Sequence, residues 1–362
     1  MRKFDRPFLI TVIALVVIGF FIFSSASLGL LARDGVQFSS VAVSQLIAIA
    51  LGTGLMVLFA RVPYKFWRKY AFYIGIASFV ATLLVFMPGI GMEFNGARRW
   101  ISIAGFSLQP AEFLKVGVVM YFAAFLASAK QEIKTLNHGL LPFLGLLTLI
   151  AITLLLQPDT GTFLVIAVTL TAMYMAAGAR IRDLAIVGVL GLGGIAALAM
   201  LRPYVMSRFM TFLDPSSDPL GAGYQVQQSL IAVGSGEWFG RGFGQSIQKF
   251  SFLPEPIGDS IFSVAAEEFG FIGGFLLIGL FVFFAYRGLT IASRTTDMFG
   301  GLLAMGLVIL ITSQSFINIG SMIGVMPLTG LPLLFVSHGG TALLFALAEV
   351  GIILNISRYT KK

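Results

Sequence analysis

One acidic residue lies at the boundary between a polar loop and an apolar segment, where a carboxylate could act in catalysis. Asp259 follows the proline-containing stretch 253–256 and comes just before an apolar run that begins at Ile261. A carboxyl group at such a boundary is partly desolvated, which raises its pKa toward the range in which it works as a general base. Aspartate is also a common N-cap residue at the start of a helix. The spacing alone leaves both interpretations open.

A second group of ionisable residues, Glu112 and Lys115, lies inside an apolar segment. The two residues are three apart and follow Gln109-Pro110, a typical helix start, so their side chains share one helix face and can form an ion pair. Ionisable side chains are costly to bury in a membrane span, which makes them candidates for a function. The pair either locks helices together or lines a polar cavity that opens to the outside.

Two segments are suited to binding an anion. Arg98-Arg99-Trp100 could hold an anionic group through a guanidinium, or could contact lipid headgroups at the membrane interface. The glycine-rich stretch 221–244 could bring backbone N–H groups close to a phosphate, or could simply form tight turns. The chain has no cysteine, which excludes disulfides and thiolate metal sites. No residues have the spacing of a metal site, so the sequence requires no cofactor.

These residues must be positioned by a helical membrane fold. Of the 362 residues, 57% are hydrophobic and 11% are charged, and the mean hydropathy is +0.94. Soluble domains carry about 25% charged residues, so an ordinary soluble enzyme is excluded. Because a helical span needs about 20 mostly apolar residues, the sequence predicts an all-α integral membrane protein with about ten transmembrane helices. The predicted spans are 8–31, 41–60, 71–87, 110–129, 139–156, 163–179, 184–201, 264–286, 299–319 and 341–357.

The distribution of basic residues predicts the orientation of these spans. Of the 24 Lys and Arg residues, 16 fall in loops on one side and seven on the other, while Lys115 lies within a span. Basic residues collect in cytoplasmic loops, so the N and C termini are both predicted to be cytoplasmic. The net charge of +8 is then explained by contact with anionic lipid. No basic run has interleaved aromatic residues, and binding to nucleic acid is not expected.

Two long loops, about 88–109 and 202–263, fall on the extracytoplasmic side. The larger one connects the seventh and eighth predicted transmembrane helices. Loops longer than about 12–15 residues are usually functional or disordered. Both are rich in glycine and aromatic residues, which predicts that they are folded. No internal repeat or separate soluble domain is evident, so residues 1–362 are predicted to form a single polytopic membrane domain.

Several motifs, taken together and in chain order, resemble the SEDS family (shape, elongation, division and sporulation). They are Asn95–Trp100, Gln109–Lys115, Gln157–Gly161, Gly223–Gln225 with Gln228-Ser229, Leu253–Asp259, Ala266–Glu268 and Thr329–Gly340. The resemblance is somewhat closer to FtsW, the division member, than to RodA, the elongation member. It implies a peptidoglycan glycosyltransferase in the bacterial cytoplasmic membrane, at the septum for a division enzyme. Such an enzyme polymerises lipid II into glycan strands on the outer face and releases undecaprenyl diphosphate.

The resemblance also implies roles for individual residues. The family's catalytic carboxylate falls on Asp259, which we expect to accept a proton from the attacking sugar hydroxyl. Basic side chains are expected to face the developing charge of the diphosphate. A divalent cation could share that work through Glu255 or Asp259, although no ligand cluster demands one. The expected substrate-binding residues are Lys115, Glu112, Arg98, Arg99 and Glu255.

Two positions depart from the family's usual pattern. Gly258 stands where threonine is usual, beside the retained acid, which puts the local orientation of Asp259 in question. His338 stands where tyrosine is usual, which could alter a surface contact.

The resemblance further implies a class B penicillin-binding protein, a transpeptidase, as partner. Two alternatives to an enzyme remain open from the sequence. The chain could be a flippase that transports lipid II, or a non-catalytic scaffold that recruits a transpeptidase.

Overall fold

The computed structural model describes residues 4–32, 38–94, 97–103, 106–216, 221 and 223–361. Sequence-based expectations that involve Arg2, Lys3, Arg33 or Asn95-Gly96 lie outside these residues. The helices of the described part are α1 (Arg6–Ser27), α2 (Phe38–Arg61), α3 (Tyr64–Leu83), α4 (Pro110–Ala129), α5 (Leu141–Leu155), α6 (Thr160–Ala176), α7 (Ile181–Leu201), α8 (Pro203–Leu213), α9 (Tyr224–Ser235), α10 (Ile261–Arg294), α11 (Met298–Met322) and α12 (Gly340–Ser357). The strands are β1 (Gly91–Phe94), β2 (Ala97–Ile103) and β3 (Phe106–Leu108).

The helical membrane architecture is confirmed. Within the described residues, nine helices are long and apolar enough to cross a membrane, and each coincides with a predicted span. The tenth predicted span coincides with α6, an apolar helix of 17 residues. Helix α3 begins seven residues before the predicted span, because the chain enters the helix directly after Pro63 and the first turns carry Lys65, Arg68 and Lys69. Such long basic side chains reach back to the aqueous interface.

Aspartate caps fix the start of several helices. The Asp5 carboxylate accepts a hydrogen bond from the Phe8 N–H at the start of α1 (2.9 Å). Asp159 and Asp297 play the same part at the starts of α6 and α11. Each cap satisfies a backbone N–H that has no partner within its own helix.

The loop between α3 and α4 folds as a small antiparallel sheet in the order β1-β2-β3. Its folded character agrees with the sequence analysis, which gave no indication of strands. The pairing of β1 with β2 shifts from Met92↔Trp100 to Glu93↔Arg98, so Arg99 is an extra residue of β2 in a β-bulge. A bulge re-aims side chains, and the two arginines that were expected to act together have different partners.

The spans differ greatly in how deeply they are buried. Helices α4, α11 and α12 form the enclosed centre of the bundle, while α2 and α3 are mostly exposed to the surroundings. Helix α7 packs against α8, and no residue in the most apolar stretch of α7 is buried. Apolar side chains such as Val189, Leu192 and Leu201 therefore face outward, which is suited only to lipid or another apolar partner.

Helix α10 is interrupted at Gly270, where the backbone leaves the helical conformation (φ 67°, ψ −168°). We call this interruption the α10 break. It releases carbonyl and N–H groups that would otherwise bond within the helix, and the chain segment after α9 pairs with them. The backbone bonds are Arg241 N–H to Glu267 O (3.0 Å), Gly242 N–H to Glu268 O (3.0 Å), Phe271 N–H to Glu237 O (2.8 Å) and Ile272 N–H to Trp238 O (3.2 Å).

Two buried carboxylates beside the α10 break hold the same segment in place. Glu267 accepts hydrogen bonds from the Ser246 hydroxyl (2.5 Å) and the Ile247 N–H (3.0 Å). Glu268 forms a buried ion pair with Lys249 (2.7 Å), and Ser25 of α1 donates to the same carboxylate oxygen (2.6 Å). These contacts connect the loop that leads to Asp259 with α1 and α10.

Candidate active site

Asp259 lies in the turn that leads into α10, and its side chain is half-buried. The side-chain amide of Gln225, in the first turn of α9, donates to Asp259 Oδ1 (3.1 Å) and to the Ser260 hydroxyl (3.0 Å). The N-cap position of α10 is occupied by Ser260, not by Asp259. Of the two interpretations left open by the sequence, the geometry therefore favours the chemical one.

The backbone around Asp259 is fixed by side chains from distant parts of the chain. Asn318 of α11 donates to the carbonyl oxygens of Asp259 and Leu331, both at 2.7 Å. The Ser337 hydroxyl donates to the Gly258 carbonyl (2.7 Å). The segment 327–339 and α11 thus hold the turn from one side, while α9 holds the carboxylate from the other.

The surroundings of Asp259 oppose its ionisation. Burial raises its pKa from the ordinary value to about 6, and the negative charge of Glu255 acts in the same direction. The hydrogen bond from Gln225 and the positive charge of Arg208 act against this rise. A carboxylate with a pKa near 6 is still ionised at neutral pH, and it is a stronger base than an ordinary aspartate.

Arg208 of α8 is the cation that the structure adds to this group of residues. Its guanidinium is half-buried, and it donates to the Thr329 carbonyl (3.4 Å). Burial lowers its pKa, as does the neighbouring positive charge of Arg99, while Asp259 and Asp159 favour the charged form. From its sequence position, Arg208 is only one of the seven basic residues in the predicted outer loops. Pro203, a typical first residue of a helix, was the signal that could have indicated a helix carrying Arg208.

The two adjacent arginines of β2 have different surroundings. Arg99 donates from Nε to the Gln157 carbonyl (3.1 Å) and from a terminal nitrogen to the Pro158 carbonyl. Its charge lies near Arg208. Arg98 instead pairs with Glu93 (3.0 Å), and both side chains are about half exposed to solvent. The structure therefore brings Arg99, but not Arg98, next to Arg208, the cation that acts on Asp259.

Glu112 and Lys115 form an ion pair (2.8 Å) in which both side chains are almost completely buried. Lys115 also donates to the side-chain Oε1 of Gln314 (2.5 Å), and the side-chain Nε2 of Gln314 donates to the Pro332 carbonyl (3.2 Å). Glu349, whose partner was not evident from the sequence, is buried within electrostatic range of both charges. This geometry favours the alternative in which the pair locks helices together. The predicted role of both residues in substrate binding stays a prediction.

Glu255 is exposed and lies in the same turn as Asp259. Its carbonyl accepts hydrogen bonds from Gly258 (3.0 Å) and Ser260 (3.2 Å), so its backbone shapes the turn while its carboxylate adds negative charge. Among the described residues, no group of three or more His, Asp or Glu side chains has the arrangement of a metal site. A divalent cation held by Glu255 and Asp259 stays a prediction.

His338 packs inside the protein. Its ring stacks on Phe23 of α1 (5.6 Å between centroids), Nδ1 lies 3.2 Å from Gln45 Oε1, and its backbone N–H donates to the Ile257 carbonyl. Burial lowers its pKa, which favours the neutral ring. The histidine at this position therefore supports the segment that holds Asp259.

Comparison with known proteins identifies the group to which this arrangement belongs. Residues 6–362 match the family model described as "Cell cycle protein", which covers FtsW, RodA and SpoVE. The chain belongs to this family. Membership of the FtsW/RodA/SpoVE family agrees with the resemblance found in the sequence motifs. Together, the family and the apolar helices identify the chain as a multi-pass protein of the bacterial cytoplasmic membrane.

Relatives match over most of the chain. Stage V sporulation protein E of Bacillus subtilis (strain 168) is 41% identical over 317 residues, which is 88% of this chain and 87% of the relative. The "Probable peptidoglycan glycosyltransferase FtsW" of Coxiella burnetii is 38% identical over 363 residues, which is 99% of this chain and 97% of the relative.

Two solved structures share the fold. One is a chain of the structure described as "Structural coordination of polymerization and crosslinking by a peptidoglycan synthase complex" (TM-score 0.81, 28% identity, 98% of both chains covered). The other is the Rod shape determining protein RodA of Thermus thermophilus (TM-score 0.70, 26% identity, 99% of this chain and 98% of that chain).

Proposed function

We propose that this protein is a peptidoglycan glycosyltransferase that polymerises lipid II on the outer face of the cytoplasmic membrane and releases undecaprenyl diphosphate. The observation that carries the proposal is the half-buried Asp259 carboxylate, which is held by Gln225 and lies near the positive charge of Arg208, with Arg99 beside Arg208. A base with cations on one side suits a reaction in which a hydroxyl loses its proton while a diphosphate leaves. Relatives of nearly full length carry the name peptidoglycan glycosyltransferase FtsW.

The proposed reaction is a single displacement. Asp259 accepts the proton of the 4-hydroxyl of one sugar, and the oxygen of that hydroxyl forms a bond with the anomeric carbon of the other. The bond between this carbon and the diphosphate oxygen breaks, and the configuration at the carbon inverts to give a β-linkage. General-base assistance of this kind typically accelerates a reaction about 10²–10⁴-fold.

The leaving diphosphate gains negative charge as its bond to the sugar breaks. Cations that are already in position stabilise that charge without reorganisation. Arg208 and Arg99 meet this requirement best, because Lys115 is neutralised by Glu112 inside the bundle and Arg98 is paired with Glu93 at the surface. We therefore assign the diphosphate to Arg208 and Arg99.

We also propose that the protein works together with a class B penicillin-binding protein, a transpeptidase that crosslinks the new strands. The structure with a TM-score of 0.81 is described as one of a complex that coordinates polymerization and crosslinking. The fold similarity covers 98% of this chain. A role in division or in elongation can be read from whether a fluorescent fusion lies at mid-cell or along the side wall.

The test is polymerisation of labelled lipid II by purified protein, with the transpeptidase partner added. We expect glycan polymer from the wild type and none from Asp259→Ala, provided that both proteins are monodisperse and unfold at similar temperatures. The matched control is Glu93→Ala, which removes an exposed carboxylate from the same side of the protein and should leave polymerisation intact. An Asp259→Ala variant that polymerises as well as the wild type would overturn the proposal.

The two alternatives to an enzyme predict different results in the same experiment. A flippase moves labelled lipid II across a liposome bilayer and yields no polymer. A scaffold yields no polymer either, and cells that depend on its Asp259→Ala variant continue to grow.

A further inference from the structure

The side chain of Gln225 spans the two residues at the start of α10. Its terminal amide has two N–H groups, and both are used: one donates to Asp259 Oδ1 (3.1 Å) and the other to the Ser260 hydroxyl (3.0 Å). Ser260 is completely buried, so the second bond gives the amide a fixed anchor. The amide therefore presents one N–H to a single oxygen of the carboxylate.

The other carboxylate oxygen has different surroundings. Oδ2 faces Gly330, where a Cβ atom would lie 4.0 Å away. Gly330 has a positive φ of 69° and no side chain, so space remains beside Oδ2. No hydrogen bond from another described residue reaches this oxygen. The two oxygens of Asp259 thus differ among the described residues: Oδ1 has a side-chain donor, Gln225, and Oδ2 has none.

We propose that Gln225 is a positioning residue, which fixes the Asp259 carboxylate so that Oδ2 is the oxygen that accepts the proton of the attacking hydroxyl. The inference rests on the proposed glycosyl transfer. It adds a role for Gln225 and specifies which oxygen of Asp259 accepts the proton. In the reaction the proton moves from the sugar hydroxyl to Oδ2 as the glycosidic bond forms. The hydrogen bond from Gln225 to Oδ1 prevents rotation of the Asp259 side chain. Such a rotation would turn both carboxylate oxygens away from the substrate.

The same hydrogen bond affects the basicity of the carboxylate. A donor to the charged form of an acid lowers its pKa, and Gln225 acts in this direction on Asp259. The charged groups that face Asp259 are Glu255 in its own turn and Arg208 on α8, and Arg99 and Asp159 lie next to Arg208. These charges remain when Gln225 is replaced, so the loss of the amide alone should raise the pKa of Asp259.

Helix α9 has independent attachments that do not involve Gln225. The side-chain amide of Gln227 donates to the Pro215 carbonyl (2.7 Å), and the segment after α9 pairs with the α10 break. Replacement of Gln225 is therefore expected to leave α9 in place. The residue's effect on Asp259 can then be separated from an effect on folding.

The experiment measures kcat for lipid II polymerisation by the full-length protein, with its transpeptidase partner, over pH 5–9. In Gln225→Met, which keeps the length of the side chain but has no N–H donor, we expect kcat at neutral pH to fall about tenfold. We also expect the acidic limb of the pH profile to move to higher pH by about one unit, because the net free energy of one hydrogen bond corresponds to a pKa shift of about that size. The matched control is Gln227→Met on the same helix, which should leave the limb unmoved.

A second variant covers the case in which Gln225→Met does not fold. Ser260→Ala removes only the anchor of the amide, and it should move the limb in the same direction by a smaller amount. A fall in kcat with an unmoved limb, in either variant, would show a merely structural role and overturn the proposal. A wild-type protein that makes no polymer, or an active Asp259→Ala variant, would instead contradict the proposed function itself.

Discussion

The Asp259 carboxylate is basic because its surroundings are unfavourable to charge. Burial raises its pKa to about 6, and a general base is active only when it has lost its proton. We therefore predict that the rate of polymerisation falls below about pH 6, by roughly tenfold for each further pH unit. The measurement is kcat for lipid II polymerisation between pH 4.5 and 8. A rate that stays constant down to pH 4.5 would contradict the assignment of Asp259 as the base.

The same pKa predicts a change in stability. Because the pKa is higher in the folded than in the unfolded protein, protonation of Asp259 stabilises the fold, and this stabilisation is lost as the pH rises from about 4 through about 6. Asp259→Asn, which cannot ionise, should raise the free energy of unfolding at pH 8 by about 1–3 kcal/mol. At pH 4 the difference should vanish. Thermal unfolding in detergent at both pH values checks the sign.

Arg208 and Arg98 offer a matched comparison of two outer arginines. If Arg208 stabilises the leaving diphosphate, Arg208→Ala should lower kcat about 10²–10³-fold, as the loss of a fixed charge-stabilising group does in other enzymes. Arg98→Ala breaks only an exposed pair with Glu93, which is worth about 0–1 kcal/mol, and kcat should change little. The assignment would be wrong if Arg98→Ala had the larger effect.

The buried ion pair predicts an order of stabilities. Lys115→Met leaves two buried carboxylates, Glu112 and Glu349, without their cation, and removing one partner of a buried pair typically costs about 3–5 kcal/mol. Glu112→Gln should cost less, because Glu349 remains as a counter-charge for Lys115. Unfolding temperatures of the two variants in the same detergent provide the measurement. If the two variants lost the same stability, Glu349 would not act as a counter-charge for Lys115 when Glu112 is absent.

At the scale of elements, the α10 break depends on one backbone conformation. A Cβ at Gly270 would lie 2.3 Å from Gly240 N and 2.6 Å from Trp238 O, and the positive φ disfavours a side chain there in any case. We predict that Gly270→Ala destabilises the protein strongly, by about 3 kcal/mol or more. Gly279→Ala is the matched control in the same helix, because no atom lies within 4 Å of its Cβ position. It should be neutral or slightly stabilising.

The sequence predicted the elements better than their connections. All ten spans are visible in the hydropathy, because burial in lipid requires about 20 apolar residues in a row. The sheet β1-β2-β3 was not predicted, since β1 and β3 have only four and three residues and such short strands leave little periodicity. The α10 break was also missed, because a glycine within an apolar run looks like any other residue of a span.

The site shows the same limit. Asp259, Glu112 and Lys115 were singled out because charge is rare in or beside an apolar segment, and Arg99 lies next to Arg208. Gln225 belonged to one of the motifs but had no predicted role, and Asn318 was not singled out. Both are uncharged, and they contact Asp259 across 34 and 59 residues of chain, a separation at which local pattern gives no contact. Arg98 was expected to act with Arg99, but it pairs with Glu93, and the β-bulge at Arg99 gives the two side chains different partners.

At the scale of the whole molecule, the orientation in the membrane can be tested directly because the chain has no cysteine. Single cysteines introduced at exposed positions can then be labelled without background. We predict that Ser216→Cys, in the loop after α8, reacts with a membrane-impermeant maleimide in intact spheroplasts. Ser293→Cys, at the far end of α10, should react only after lysis. The reverse pattern would place Asp259 on the cytoplasmic side and contradict the proposed reaction.

The position of α7 affects how a lipid-linked substrate could approach. Its apolar side chains face outward, and it packs against α8, which carries Arg208. A substrate with a long isoprenoid tail can keep that tail in the bilayer while its diphosphate and sugars lie at the membrane surface. Because α8 follows the lipid-facing α7 directly and carries Arg208, a tail that stays in the bilayer beside α7 needs no route through the interior of the protein.

The pairing at the α10 break also bears on how such a protein can change over evolutionary time. The four bonds that join the loop to α10 involve main-chain atoms alone, so they are indifferent to the side chains that accompany them. Exposed residues such as Trp238 and Phe239 are therefore free to diversify as the outer surroundings of the cell demand. Gly240 and Gly270 have no such freedom, because a single added methyl group would push the two segments apart.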